Sequence, residues 1–100
     1  MNSDIVSHLS WLMEWYQSQC DGDWEHQYGI RIGTLDNPGW SLDVDLYETS
    51  EEGRSAPQEL VERSEDNWLF VEMKDNVFRA RGGPANLGEM IEAFRNFVSY

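Results

Sequence analysis

WSLDVDL, residues 40–46, alternates strictly between apolar and polar side chains. Successive side chains of a β-strand point to opposite faces of the sheet, so this alternation predicts a strand with one buried face and one solvated face. The buried set is Trp40, Leu42, Val44 and Leu46. Asp43 and Asp45 then share the solvated face, as is typical of an antiparallel sheet that is covered on one side only.

The segment before this strand predicts a hairpin partner for it. Tyr28, Ile30 and Ile32 alternate in the same way, with Arg31 on the opposite face. Asn37-Pro38-Gly39-Trp40 lies between the two strands. Proline fixes φ at the first central position of a type II turn, and Gly39 is expected to supply the positive φ that follows.

Three more strands are expected after a polar, mobile loop over 48–57. They are predicted at 58–63, 68–74 and 77–81, with turns at 64–67 and 75–76. The segment 68–74 is apolar on both faces, which is typical of an interior strand.

A helix is predicted at each end of the chain. The first covers residues 3–20, is capped by Ser3, and is closed by Gly22 in a left-handed conformation. Its expected apolar face is Ile5, Leu9, Leu12, Met13 and Tyr16.

The second helix follows Gly82-Gly83-Pro84, which we interpret as a flexible connection. Asn86 and Glu89 have the spacing of a capping box. The expected apolar face is Leu87, Met90, Ile91, Phe94 and Val98. Together these elements predict one α+β domain over 1–100: an N-terminal helix, about five antiparallel strands and a C-terminal helix, with both helices packed on one sheet face.

Charge narrows the class of partner. Seven basic and nineteen acidic residues give a formal net charge of −12. Nucleic acids and anionic membranes are polyanions, so neither is expected as a direct ligand, and a basic partner is favoured. The single cysteine, Cys20, cannot form an internal disulfide, and no apolar run approaches the ~18 residues of a membrane helix. No secretion signal is recognisable, so we expect a cytoplasmic protein.

Residues 20–29, CDGDWEHQYG, form the densest group of side chains that could bind a metal ion or take part in catalysis. Asp21, Asp23 and Glu25 match the first three ligand positions of a calcium loop, but the glycine and the bidentate glutamate that complete that loop are missing. Cys20 and His26 have no second Cys/His pair at zinc-ligand spacing. We therefore expect no metal and no cofactor, and we interpret the segment as a helix-to-strand junction with Trp24 and Tyr28 packed inward.

An enzyme is not expected from these residues. No nucleophile elbow, phosphate loop or dinucleotide fingerprint is present, and His8 is expected on the surface. The alternative is a small metal-dependent enzyme or metal-binding protein that uses the Cys20–His26 segment.

The remaining candidates are acidic residues that could meet a basic protein, with one aromatic anchor. The expected partner-binding set is Asp21, Asp23, Trp24, Glu25, Asp43, Asp45, Glu65 and Asp66. A monomer and a homodimer are both compatible with the sequence.

Three runs of sequence, at 11–46, 62–72 and 82–98, resemble the immunity protein 53 family of bacterial polymorphic toxin systems. The specific motifs within them are CDGDWEH at 20–26, LDNPGW at 35–40 and ERSEDNW at 62–68, in this order. The resemblance implies a small cytosolic antidote, encoded beside a toxin, that binds the toxin and blocks it. It assigns no contact residues. If the toxin is a nuclease, the carboxylates of this chain could take the place of phosphate on the lysines and arginines of the toxin's cleft.

Overall fold

The computed structural model describes residues 5–99, which form three helices and five strands. The helices are α1 (Ile5–Gln19), α2 (Trp24–Gln27) and α3 (Leu87–Val98). The strands are β1 (Ile30–Leu35), β2 (Gly39–Asp45), β3 (Ala56–Ser64), β4 (Asn67–Lys74) and β5 (Val77–Gly82). The predicted α+β class is confirmed, and the short helix α2 was not predicted. The expected cap at Ser3 lies outside the described residues.

The sheet has the strand order β1-β2-β5-β4-β3, and every neighbouring pair is antiparallel. β1 and β2 form the predicted hairpin. β4 is an interior strand, as its two apolar faces indicated, but β5 occupies the middle of the sheet between β2 and β4. β1 and β3 are the two edge strands.

The core lies between α3 and one face of the sheet. Leu42, Val44 and Leu46 are fully buried, which confirms the alternation predicted for β2. Phe94 of α3 packs against Phe78 of β5 with ring centroids 5.0 Å apart. Burying side chains of this kind contributes about 1.5–3 kcal/mol each, so this layer is the main source of stability.

Helix α1 packs against α3 with a face that shares only Leu12 with the predicted one. Its buried residues are His8, Leu12 and Trp15, while Met13 is 69% exposed. The helix carries two apolar stripes, and the one with the large rings is buried because Trp15 meets Phe94 edge-on at 5.0 Å. The exposed stripe consists of Ile5, Leu9, Met13 and Tyr16.

The expectation that His8 lies on the surface is also wrong. The residue is 9% exposed. Its ring lies between two side chains of α3, with Nδ1 3.5 Å from Arg95 Nη1 and Nε2 3.9 Å from Glu92 Oε2. The polar partners on α3 allow an imidazole to be buried there.

The β1–β2 connection is not the predicted type II turn. Gly39 is the first residue of β2, opposite Leu35, and its φ is not positive. A Cβ at this position would collide with the backbone carbonyl of Gly82 on β5. Gly39 is therefore needed for the close approach of two strands. At Gly22 the predicted left-handed backbone is present, with φ +97°.

Asn86 does not form the predicted capping box. Its side chain makes no capping hydrogen bond to α3. Instead its Nδ2 donates to Asn67 Oδ1 and to Glu89 Oε1, both at 3.0 Å. Its Oδ1 accepts from the Trp68 N–H at 3.4 Å, so the buried amide joins the start of α3 to β4.

The connection around Gly83 is also tightly packed, where flexibility was expected. Gly83 is buried, its N–H donates to the Trp68 carbonyl at 3.3 Å, and a Cβ would collide with the Asp66 carbonyl.

The segment predicted as a mobile loop consists of consecutive hydrogen-bonded turns. Thr49 Oγ1 donates to the Leu46 carbonyl at 2.8 Å, and the Glu52 N–H donates to the Thr49 carbonyl at 3.1 Å. The Gly53 N–H donates to Asn76 Oδ1 at 2.7 Å, which ties the segment to the β4–β5 turn. β3 then begins at Ala56, two residues earlier than predicted.

Candidate functional site

The carboxylates of the 20–29 segment hold its own backbone in shape. Asp21 Oδ1 accepts hydrogen bonds from the N–H groups of Asp23 and Trp24, both at 2.9 Å. These bonds, that from Trp24 first, lower the pKa of the Asp21 carboxyl because they stabilise its charged form. Glu25 accepts in return from the N–H groups of Asp21 and Gly22 at 3.0 Å. Asp21 thus holds the first N–H of α2, and Glu25 holds the turn that precedes it.

The same segment does not assemble a ligand set or a catalytic group. Within residues 5–99, no group of three or more His, Cys, Asp and Glu side chains is placed to hold a metal ion. The thiol of Cys20 donates to the Tyr16 carbonyl at 3.3 Å, and His26 is exposed on α2. The arrangement supports a helix-to-strand junction, and nothing in it favours the alternative of a metal-dependent enzyme.

Trp24 packs inward, as the junction interpretation predicted. It is 1% exposed, and its ring lies edge-on to Trp15 at 6.2 Å. Its Nε1–H donates to the Tyr47 carbonyl at 2.9 Å. Trp24 therefore fixes α2 against the segment that follows β2, and it offers no ring surface to a partner.

Asp43 and Asp45 lie on the solvated sheet face, but both form ion pairs within the fold. Asp45 accepts two hydrogen bonds from Arg31, at 2.9 and 3.1 Å, and one from the Gly29 N–H at 3.0 Å. Burial alone would raise the pKa of Asp45, but the hydrogen bonds from Arg31 and Gly29 outweigh it and hold that pKa below its usual range. Asp43 pairs with Arg81 at 2.9 Å. Much of the charge on these two acids is therefore neutralised internally.

Glu65 and Asp66 are exposed in the β3–β4 turn, at the other end of the sheet. Asp45 is opposite Val77, the first residue of β5, whereas Asp66 is next to β4 where that strand meets Gly82, the last residue of β5. Five residues of strand separate these ends, which is roughly 17 Å. The acids predicted from the sequence therefore do not form one continuous surface.

A second set of acids, in the segment predicted as a loop, lies beside the junction. The segment after β2 brings Tyr47 onto Tyr28, with ring centroids 5.3 Å apart and the planes 18° from parallel. The pKa of the Tyr28 hydroxyl is raised by burial and then by the charges of Glu48 and Glu52, among others, because negative neighbours disfavour the charged form of tyrosine. Glu48 adopts φ +59° where the chain leaves β2.

We call the acids of these two segments, which the Trp24–Tyr47 hydrogen bond and the Tyr28–Tyr47 stack join, the acidic end: Asp21, Asp23, Glu25, Glu48 and Glu52. Among the described residues, none of its five carboxylates takes part in an ion pair. Arg54, the nearest cation in sequence to Glu52, pairs with the buried Glu51 and lies over the Phe97 ring. Within residues 5–99, the fold thus pairs no cation with the acidic end, although Asp21 and Glu25 also accept hydrogen bonds from backbone N–H groups.

The signal for Glu48 and Glu52 was present in the sequence, since both belong to the acid-rich stretch around residues 43–66. Their position beside Tyr28 depends on the turns after β2 and on the Trp24–Tyr47 hydrogen bond. Neither feature has a sequence pattern that distinguishes it from an ordinary loop.

No helix within residues 5–99 has the length and apolar character needed to cross a membrane.

Comparison with known proteins identifies one family. A family model described as immunity protein 53 matches residues 9–99, which is nearly the whole chain. No curated protein and no solved structure matches the chain.

Proposed function

The chain belongs to the immunity protein 53 family, and from this premise we propose that it binds a cognate toxin, encoded nearby, and neutralises it. The location of binding is supported by the acidic end, whose five carboxylates take part in no ion pair among the described residues and lie on the two segments that contribute the stacked Tyr28 and Tyr47. Tyrosine is frequent among residues that dominate binding energy, because it combines a large apolar ring with a polar hydroxyl. Tyr47, which is 38% exposed, can serve as such an anchor.

The chemistry of the surface specifies a basic partner. Unpaired carboxylates accelerate association with a cationic surface, toward ~10⁸–10⁹ M⁻¹s⁻¹ at low salt. A nuclease toxin fits this requirement, because it binds phosphate through lysine and arginine. In such a complex the carboxylates of the acidic end form ion pairs with the lysines and arginines that bind phosphate, and they thereby exclude the nucleic acid.

The proposed activity requires docking and no reaction. Asp43 and Asp45, which also belong to the predicted binding set, act mainly by holding β1, β2 and β5 together. Glu65 and Asp66 can contact the toxin only if it extends along the whole sheet. We further propose that residues 1–100 act as one cytoplasmic domain.

Co-expression with the toxin domain encoded by the neighbouring gene tests the proposal. Glu48→Lys with Glu52→Lys is expected to abolish protection of growth and co-purification of the toxin. The matched control is Glu59→Lys with Glu62→Lys, which makes the same change in net charge at two exposed positions on β3. The control pair should protect like the wild type. Equal loss in both pairs would show that only net charge matters, and no loss in the first pair would remove the acidic end as the binding site.

A further inference from the structure

The exposed stripe of α1 and the edge strand β1 enclose an open apolar groove. Its volume is about 700 Å³, and its lining includes Leu12, Met13, Tyr16, Tyr28 and Ile30. Ile32, the next residue on the same face of β1 as Ile30, is 44% exposed. In a chain with a net charge of −12, residues 5–20 carry a single carboxylate, that of Glu14. The groove is thus an uncharged strip on an acidic protein.

The area of this strip is that of the largest apolar patch on a typical monomer. The exposed surface of the apolar side chains on α1, together with that of Ile32, is on the order of 500 Å². The largest apolar patches on typical monomers are about 300–600 Å² and are often functional. A standard interface needs about 800 Å² per partner, so the groove together with an adjoining surface reaches that size.

The backbone of β1 can accept a further strand at the same place. The Asp45 N–H donates to the Gly29 carbonyl at 3.1 Å, so Gly29, Arg31 and Gly33 are the positions that bond to β2. The N–H and C=O groups of Ile30, Ile32 and Thr34 therefore point away from the sheet. β1 is the first strand in the sheet order, and within residues 5–99 no other strand pairs with this side. The side chain of Ile30 lines the groove, and Ile32 lies on the same face of β1.

The groove is continuous with the acidic end. Tyr28 lines the groove and also stacks on Tyr47. Cys20, which precedes the acids of the junction, lies at the same end of the groove. An occupant that lies along β1 therefore meets apolar surface first and carboxylates at its end.

We propose that the groove and the free edge of β1 bind one extended segment of the toxin as an added sixth strand. The proposal rests on the proposed function and specifies the segment: apolar side chains at alternate positions fill the groove, and a lysine or arginine at one end reaches Glu25 and Glu48. Main-chain bonds then supply affinity and the groove supplies sequence preference. A second copy of this chain fits less well, because its own net charge would oppose the carboxylates at the acidic end.

Hydrogen exchange of the intact protein, with and without the toxin domain encoded by the neighbouring gene, tests this site. The amides of Ile30, Ile32 and Thr34 should exchange at least tenfold more slowly in the complex, while those of the β3 edge should not change. Met13→Glu should weaken toxin binding at least tenfold. Leu60→Glu is the matched control, because Leu60 is 58% exposed on the opposite edge strand. It should bind like the wild type.

The outcomes separate this site from the function itself. The site alone would be overturned if the toxin binds the wild type but the exchange rates of the β1 amides do not change and Met13→Glu binds the toxin as tightly as the wild type. Toxin that does not bind the wild type would overturn the proposed function. A wild-type homodimer by sedimentation, with β1 amides already protected, would show that a second copy is the occupant and would also overturn the site.

Discussion

Replacing Asp45 by asparagine separates carboxylates that hold the fold from carboxylates available to a partner. The change keeps the shape of the side chain and removes its charge. It weakens two hydrogen bonds from Arg31 and leaves an acceptor for the Gly29 N–H. Because Arg31 belongs to β1 and Asp45 to β2, losing these bonds weakens the hairpin that forms the first edge of the sheet.

The magnitude follows from the exposure of the two partners. Hydrogen bonds to charged groups contribute about 1.5–3 kcal/mol, but exposed pairs contribute less than about 1 kcal/mol. The side chain of Asp45 is 13% exposed and that of Arg31 is 57% exposed, so the pair lies between these limits. We expect Asp45→Asn to lower the free energy of unfolding by about 1–2 kcal/mol at pH 7.

Urea unfolding measures this difference. With a slope of about 1–3 kcal/mol per molar urea, the midpoint should fall by roughly 0.3–2 M. The pKa of Asp45 is lower in the folded state than its unfolded value of about 3.9, so its contribution is complete above that value and is lost as the pH falls through the folded pKa. The gap between wild type and variant should therefore shrink as the pH falls below about 4.

Asp23→Asn is the matched control, since Asp23 is exposed and its side chain makes no capping hydrogen bond to α2. Its free energy of unfolding should stay within about 0.5 kcal/mol of the wild type. Equal midpoints for wild type and Asp45→Asn at pH 7, or a gap that persists undiminished in acid, would refute the structural role given to Asp45.

Further predictions concern packing. Gly39→Ala should destabilise by about 1–3 kcal/mol, because its Cβ collides with the Gly82 carbonyl, whereas Gly29→Ala has no atom within 4 Å to meet and should lose far less. Thermal unfolding of both variants checks this. Phe94→Ala should cost about 3–5 kcal/mol in urea unfolding, since it empties the space between α1 and the sheet. A loss below 1 kcal/mol would contradict the core described above.

The strands were predictable from the sequence because their period-2 pattern reflects burial on one face. Leu42, Val44 and Leu46 occupy the core as the alternation required. The position of β5 in the middle of the sheet was not predictable, since strand order depends on pairings between distant segments. The face of α1 was mispredicted because two apolar stripes compete, and only the packing of Trp15 on Phe94 decides between them.

The candidate site was predictable in part. The sequence drew attention to the junction acids, but Asp43 and Asp45 are paired with arginines from other strands, which no local pattern reveals. Glu48 and Glu52 join Asp21 and Glu25 only because the turns after β2 fold back over Trp24. A charge count predicts a basic partner, whereas the location of free charge requires the tertiary structure.

The most direct test of the account is the association rate of the purified chain with its toxin at low salt. Replacing Asp23, Glu48 and Glu52 together by their neutral amides should slow association at least tenfold, because unpaired charge steers the encounter. Asp43→Asn, which removes an internally paired charge, should leave the rate within about twofold of the wild type. Equal rates for the triple variant and the wild type would contradict the claim that the acidic end meets the toxin.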